Sequence, residues 1–157
     1  LGRVGTKVAQ FGKVLDMNVI SWGPTPDNGR SLKLGIERVA LDECLSRSDV
    51  LCLCLRLSDE TRELLKEREL KILKDGSFVI NAARAEIIEK KSLYLELSSG
   101  RIFGAFDVFH NEPLAADDPI RFFDNVLLSP HMGYVTEEVY DVFFNQVVTN
   151  ILKLSPH

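Results

Sequence analysis

The sequence predicts an α/β protein in which a parallel sheet is wound on both sides by helices. Three observations carry this expectation. Short apolar runs of strand length alternate with longer stretches of helical period along the 157 residues, the pattern from which βαβ units are built. The run from Asp49 to Leu57 is almost wholly apolar, as expected of a strand covered on both faces by helices. A glycine-led helix opens the chain and a strand follows it, which is the order a doubly wound sheet requires.

The elements follow in order. Leu1-Gly2-Arg3-Val4-Gly5 leads into apolar residues at Val4, Val8, Phe11 and Leu15, the spacing of one helical face. Gly2 and Gly5 fit the last two glycines of G-x-G-x-x-G, in which backbone approaches a pyrophosphate at a helix N-terminus. Taken alone, the pair also fits an ordinary glycine-containing helix start. The first glycine and the strand before it are absent, so the expected fold is a Rossmann-like three-layer domain, residues 1–157, lacking its first strand. Asn18 to Trp22 reads as the second strand of such a fold and Gly23 to Gly29 as a loop of turn formers. Ile36 to Val39 reads as a short strand and Leu41 to Ser46 as a short helix. Charged and leucine positions at helical spacing from Thr61 to Lys74 precede a turn at Asp75-Gly76. Ser77 to Asn81 is a strand, Glu86 to Ser98 a helix closed by Gly100, and Ile102 to Phe109 a further strand. Val126, Leu127 and Leu128 are too few for a helix and read as a short buried strand, which Pro130 ends by removing a backbone donor. Thr136 is the N-cap of a last helix, with Glu137 and Glu138 in a first turn whose dipole favours negative charge.

Three strands in turn lead to Arg84, Glu112 and His131. If the sheet is parallel, these side chains converge on its carboxyl edge, where ligands bind in open α/β folds. A guanidinium fork suits a carboxylate, which it holds by two parallel hydrogen bonds. A glutamate beside a histidine favours the imidazolium and fixes the ring. The trio therefore describes reduction of a keto acid: hydride reaches the carbonyl carbon, His131 protonates the oxygen, and Arg84 anchors the carboxylate and polarises the carbonyl. An acidic residue near the end of the second strand would bind the adenosine ribose of NAD, but Gly23 stands there and no carboxylate precedes Asp27, leaving NAD and NADP both open.

Composition narrows the classes. The length is that of one domain, and 45% hydrophobic residues suffice for a core. A net charge of −4 without long single-sign runs argues against a nucleic-acid groove or an anionic membrane surface as partner. No apolar stretch approaches the roughly 20 residues of a membrane span, and no signal-peptide pattern opens the chain. Three cysteines are an odd number, and Cys52 and Cys54 alternate within an apolar run, which suits core packing in a reduced, cytoplasmic protein. His110 and His157 read as exposed and no metal ligand set is spaced for use. Trp22 reads as structural, although a place beside an adenine pocket also fits. The start at Leu1, without a Met, reads as a fragment or processed product.

At these residues the chain resembles the nucleotide-binding domain of the D-isomer-specific 2-hydroxyacid dehydrogenases, over essentially its whole length. The resemblance rests on Leu1-Gly2-Arg3-Val4-Gly5, Asp59-Glu60-Thr61-Arg62, Ile80-Asn81-Ala82-Ala83-Arg84, Gly104-Ala105-Phe106-Asp107-Val108-Phe109 with Glu112-Pro113, and Ser129-Pro130-His131-Met132-Gly133. It implies that Arg84, Glu112 and His131 are the catalytic trio. It implies too that backbone at Gly2, Arg3 and Val4 meets the pyrophosphate, and that Gly23, Leu55 and Ala82 to Arg84 line the cofactor cleft. Asp107 would meet the nicotinamide carboxamide, with His131 and Gly133 beside it. The chain departs from the family in having Ala85 after the arginine, Cys54-Leu55-Arg56 where His-x-Pro is frequent, and Gly23 for an aspartate. The family's second, substrate-binding domain is absent, so the resemblance implies an NAD(P)-dependent oxidoreductase of small 2-oxo or 2-hydroxy acids whose isolated 157 residues have little activity. The alternative within the same resemblance is a dinucleotide-sensing transcriptional corepressor.

The last helix adds one expectation about association. Val139, Phe143, Val147, Ile151 and Leu154 form one apolar stripe, and Val142, Phe144, Val148 and Leu152 add apolar surface outside it, more than one packing face requires. In the intact protein the missing domain or a second subunit could cover it, and a homodimer is expected for these residues.

Overall fold

The computed structural model describes residues 1–154, so His157 lies outside the described residues. Strands β3 (Val50–Leu53), β4 (Phe78–Asn81), β5 (Phe103–Phe106) and β6 (Val126–Leu128) form a four-stranded sheet, parallel throughout and in chain order. Strands β1 (Ile20–Ser21) and β2 (Glu37–Arg38) pair with each other in parallel and form a separate two-stranded sheet. Helices α1 (Arg3–Val14), α2 (Arg30–Lys33), α3 (Leu41–Arg47), α4 (Glu67–Ile72), α5 (Lys90–Ser98) and α6 (Glu137–Leu154) complete the order. The α/β class and parallel sheet expected from the alternation of elements are those observed.

The core lies on one face of the larger sheet. Leu51 and Leu53 of β3, Val79 of β4 and Phe106 of β5 pack there against Leu45 of α3, Leu70 of α4 and Leu93 and Leu97 of α5. Period-2 alternation turns the intervening residues the other way, and Phe78, Ile80 and Phe103 are exposed on that face. The rings of Phe78 and Phe103 stack there with centroids 4.9 Å apart. Strand β3 therefore alternates, where its composition predicted cover on both faces: Val50 and Cys52 are only half-buried. Cys52 and Cys54 are accordingly outside the main core, and Cys54 lies beside Gly5 of α1, where a Cβ would sit 3.4 Å from its own. Gly104 shares the core face of β5 with Phe106, whose ring folds over it so closely that a Cβ would fall 2.2 Å from a ring carbon.

Several elements are shorter than their periodicity suggests, each because side chains or a second ladder claim the backbone. Within 61–74 only Glu67–Ile72 is α-helical. Upstream, the Thr61 hydroxyl donates to Arg56 O at 2.7 Å and accepts from Ser58 N at 2.8 Å, closing a turn, while Leu65 forms a parallel bridge with Ile88. That bridge also splits the helix expected over 86–98 into a 3-10 turn at Ala85–Ile87 and α5 from Lys90. Helix α1 forms as predicted, yet Val4, Val8 and Phe11 are exposed and its buried residues are Gly5 and Ala9. His110, expected in solvent, is half-buried with its Nε2 3.0 Å from Ile88 O, because the loop after β5 folds back onto the Leu65–Ile88 bridge. Thr136 caps α6 as expected, its hydroxyl accepting from Val139 N at 3.3 Å.

Candidate active site and cofactor cleft

The register of the sheet sets one row of residues, Leu53, Asn81, Phe106 and Leu128, side by side. Because all four strands run the same way, everything just past that row emerges at one edge. Arg84 and His131 stand three residues beyond Asn81 and Leu128, and Asp107 directly follows Phe106.

The Arg84 turn is built by Asn81. Its buried side chain accepts from Ala83 N and donates to Arg84 O, both at 2.9 Å, which bends the chain immediately after β4. Ala82 and Arg84 are exposed and Ala83 half-buried. The guanidinium of Arg84 donates from Nη1 to Ala83 O at 2.6 Å and makes no ion pair among the described residues, so its fork is open to an outside carboxylate.

His131 and Glu112 meet. Nδ1 of His131 lies 2.7 Å from Oε2 of Glu112, and Oε1 of Glu112 accepts from Phe109 N at 2.9 Å. The hydrogen bond to His131, then that from the Phe109 amide, holds the Glu112 carboxyl below its ordinary value, so the partner of the ring is an anion at neutral pH. With Nδ1 engaged, Nε2 is the ring nitrogen left for a ligand.

Asp107 holds the histidine turn in place. Its Oδ1 accepts from the Ser129 hydroxyl at 2.6 Å and Met132 N at 2.9 Å, and its Oδ2 from Gly133 N at 2.8 Å. Burial pushes the Asp107 carboxyl up, but these donors and the nearby His131 outweigh it and hold the group below its usual value. The clamp matters because His131 has φ 52°, a left-handed conformation costing a non-glycine residue of order 1 kcal/mol. Gly133 fits closely there, since a Cβ would lie 3.0 Å from Oδ2 of Asp107 and would push that carboxylate aside by a few tenths of an ångström. Asp107→Asn keeps the size but presents a donor where an amide needs an acceptor. We expect about a 100-fold loss of turnover from a misplaced ring, with the far-UV spectrum unchanged. Undiminished turnover would show that Asp107 positions nothing. By linkage, the contribution of this carboxylate is complete above its unfolded value of about 3.9 and is lost as pH falls through the lowered folded value. The turn is thus expected to stay closed at pH 5.

The N-terminus of α1 is a cradle. Gly2 caps it without a side-chain hydrogen bond, the first helical bond runs from Thr6 N to Gly2 O, and no acidic residue occupies the first turn. The amides of Arg3, Val4 and Gly5 are therefore free for an anion, which the helix dipole also favours. A Cβ at Gly2 would meet nothing within 4 Å, so the approach is open. This donor set fits the diphosphate of a dinucleotide. Leu55 packs half-buried just past β3, and Gly23 lies half-buried in the loop after β1. Asp27 is buried, with Oδ1 accepting from Gly29 N at 3.1 Å and Oδ2 from Ser31 N at 2.8 Å, so it fastens the start of α2 and is not offered to a ribose. Among the described residues no cluster of three metal-ligating side chains occurs.

Sequence patterns missed Asn81 and Asp107 as positioning residues and Arg38, which the structure places beside Gly23. An Asx turn after a strand was the available signal for Asn81; the others depend on tertiary contacts.

Residues 1–133 match the model of the D-isomer specific 2-hydroxyacid dehydrogenase, NAD binding domain. The chain is 37% identical over 139 residues to a glyoxylate reductase of Aeropyrum pernix, covering 88% of this chain and 42% of that protein. It is 36% identical over 139 residues to a D-3-phosphoglycerate dehydrogenase of Archaeoglobus fulgidus, covering 88% of this chain and 26% of that one. A crystal structure of a phosphoglycerate oxidoreductase from Vibrio cholerae superposes with TM-score 0.92 at 36% identity, covering 98% of this chain and 50% of that chain. The chain thus spans half or less of the length of these relatives. A parallel sheet whose edge carries the Arg84, Glu112 and His131 positions, an open helix N-terminus and a match over residues 1–133 agree: the chain belongs to the D-isomer specific 2-hydroxyacid dehydrogenase family, of which it carries the NAD-binding domain.

Proposed function

We propose that the complete protein interconverts a small 2-oxo acid and its 2-hydroxy acid with NAD(P), acting on substrates of the kind of glyoxylate, hydroxypyruvate or a phosphoglycerate-related acid. The observation that carries this reading is the 2.7 Å pair of His131 Nδ1 and Glu112 Oε2 on the same sheet edge as the unpaired Arg84 guanidinium. The reduced cofactor supplies a hydride when bound. Arg84 takes the substrate carboxylate in its fork and polarises the neighbouring carbonyl. His131 gives a proton from Nε2 to the carbonyl oxygen, or takes it back from the hydroxyl in the reverse direction. Glu112 keeps the ring turned and offsets the imidazolium charge. A second domain, supplied by sequence beyond these 157 residues, completes the substrate pocket. The names of the relatives, glyoxylate reductase and D-3-phosphoglycerate dehydrogenase, support a reductase over a corepressor. Assay of the complete protein with NADH and NADPH against a panel of 2-oxo acids is the test: no turnover with any acid overturns the proposal.

We also propose a cytoplasmic homodimer. Three free cysteines suit a reducing compartment, and no helix among the described residues is long and apolar enough to cross a membrane. Every residue of α6 is exposed, including Val139, Phe143, Val147 and Ile151, and Tyr140 and Phe144 stack on its surface. That much apolar area is unusual on a soluble monomer. Sedimentation over a wide concentration range should show a dimer, and a monodisperse monomer throughout would refute it.

A further inference from the structure

We propose that Arg38 is a cofactor-selectivity residue, binding the 2′-phosphate of NADP(H), and that the protein prefers the phosphorylated dinucleotide. The proposal rests on the dinucleotide reading above and adds which dinucleotide is taken and by what group.

Position 23 follows β1, where an acidic side chain would hydrogen-bond the adenosine ribose and repel a phosphate on it. Gly23 offers neither effect. Nothing in the backbone demands a glycine: its φ is not in the left-handed region, and a Cβ would meet no atom within 4 Å. A cation stands where the anion would have been. Arg38 closes β2 opposite Ser21, and its Nη2 donates to Gly23 O at 2.6 Å and Thr25 O at 2.7 Å, pinning the guanidinium against that very loop. Both hydrogens of Nη2 are thereby used. Nη1 and Nε make no hydrogen bond among the described residues, so N–H donors on two further nitrogens of the cation remain for phosphate oxygens.

The neighbouring charges are of both signs. The carboxylate of Asp27 is 3.9 Å from Nη1, too far for a hydrogen bond, and both its oxygens are turned to the amides of Gly29 and Ser31. Arg30, exposed and without an ion pair among the described residues, adds a second positive charge at the start of α2, directly after that loop. Pro24, Pro26, Asp27, Asn28 and Gly29 wall an open groove beside Arg38, so a ligand reaches it from solvent.

Calorimetric titration of the complete protein tests this without reference to activity. NADPH should bind at least as tightly as NADH, and adenosine 2′,5′-bisphosphate at least tenfold more tightly than AMP. Arg38→Gln should weaken NADPH and the bisphosphate tenfold or more and leave NADH and AMP within threefold. Gly23→Asp, which needs no backbone change, should invert the preference, and it keeps the proposal testable if Arg38→Gln fails to fold. Equal weakening of both dinucleotides in Arg38→Gln would reduce Arg38 to a loop staple and overturn the assignment. So would tighter binding of NADH than of NADPH by the unmodified protein. Binding of neither dinucleotide by the folded protein would sink the cofactor reading itself, whereas NADH binding without NADPH would sink this inference alone.

Discussion

Replacement of His131 by alanine in the complete protein is expected to lower turnover of its 2-oxo acid by a factor of about 100 to 10,000, the range for a positioned general acid. The geometry makes the loss specific to one step. His131 Nδ1 is committed to Glu112, so the substrate sees Nε2, and alanine removes that proton donor while leaving the Glu112 contact to Phe109 N intact. The backbone of the turn is held from below, by Asp107 on Met132 N and Gly133 N, so the substitution should not unravel it. The α1 cradle shares no side chain with this turn, and cofactor affinity should change less than threefold. Steady-state turnover with a direct titration of the dinucleotide separates the two effects. Near-normal turnover in His131→Ala would remove the central residue of the proposed chemistry.

Arg84→Lys is expected to lower kcat/KM for the 2-oxo acid about 10- to 100-fold, the loss of one charge-assisted hydrogen bond worth about 1.5–3 kcal/mol. The charge survives, but an ammonium cannot reproduce a fork. Since among the described residues the Arg84 guanidinium hydrogen-bonds to Ala83 O alone, and Asn81 shapes the turn through backbone and its own side chain, no folding defect should accompany the change. The effect should fall on KM for substrate more than on dinucleotide binding. An unchanged substrate profile would return Arg84 to the status of a solvated surface arginine.

The parts of the fold that were legible in the sequence are those decided locally. Val126 to Leu128, stopped by Pro130, is a strand of the length and place expected, although as the edge strand it leaves Leu127 exposed and Val126 and Leu128 half-buried where burial was expected; Gly76 and Gly100 take the positive φ values their turn positions implied. The 58–66 stretch was illegible because its leucines serve two periods. Leu64 and Leu65 fit a helix by spacing, yet a Thr61 hydroxyl and the distant Ile88 compete for that backbone and win. Which face of α1 is buried was likewise illegible in its apolar stripe, since periodicity reveals which residues share a face and not what covers it. Within the site, Arg84, Glu112 and His131 could be found as polar residues just past apolar runs. Asp107 looked like a ligand-facing carboxylate, and only the coordinates reveal its three hydrogen bonds to the 129–133 turn. Arg38 carried no sequence signal, because its meaning depends on Gly23 lying beside it across two strands.

The row formed by Leu53, Asn81, Phe106 and Leu128 divides labour within the chain. Leu70, Val79 and Ile102 make the domain cohere, and the segments beyond the row carry the exposed Arg84 together with buried residues such as Leu65, Ile87 and Ile120. Changes at exposed positions there can therefore alter what is recognised at small cost in cohesion, and changes among the helices α3 to α5 can alter cohesion without touching recognition. Such a scaffold is evolvable in the strict sense. A lineage can retune Gly23 or Arg56 one at a time while natural selection on folding acts on a different set of positions.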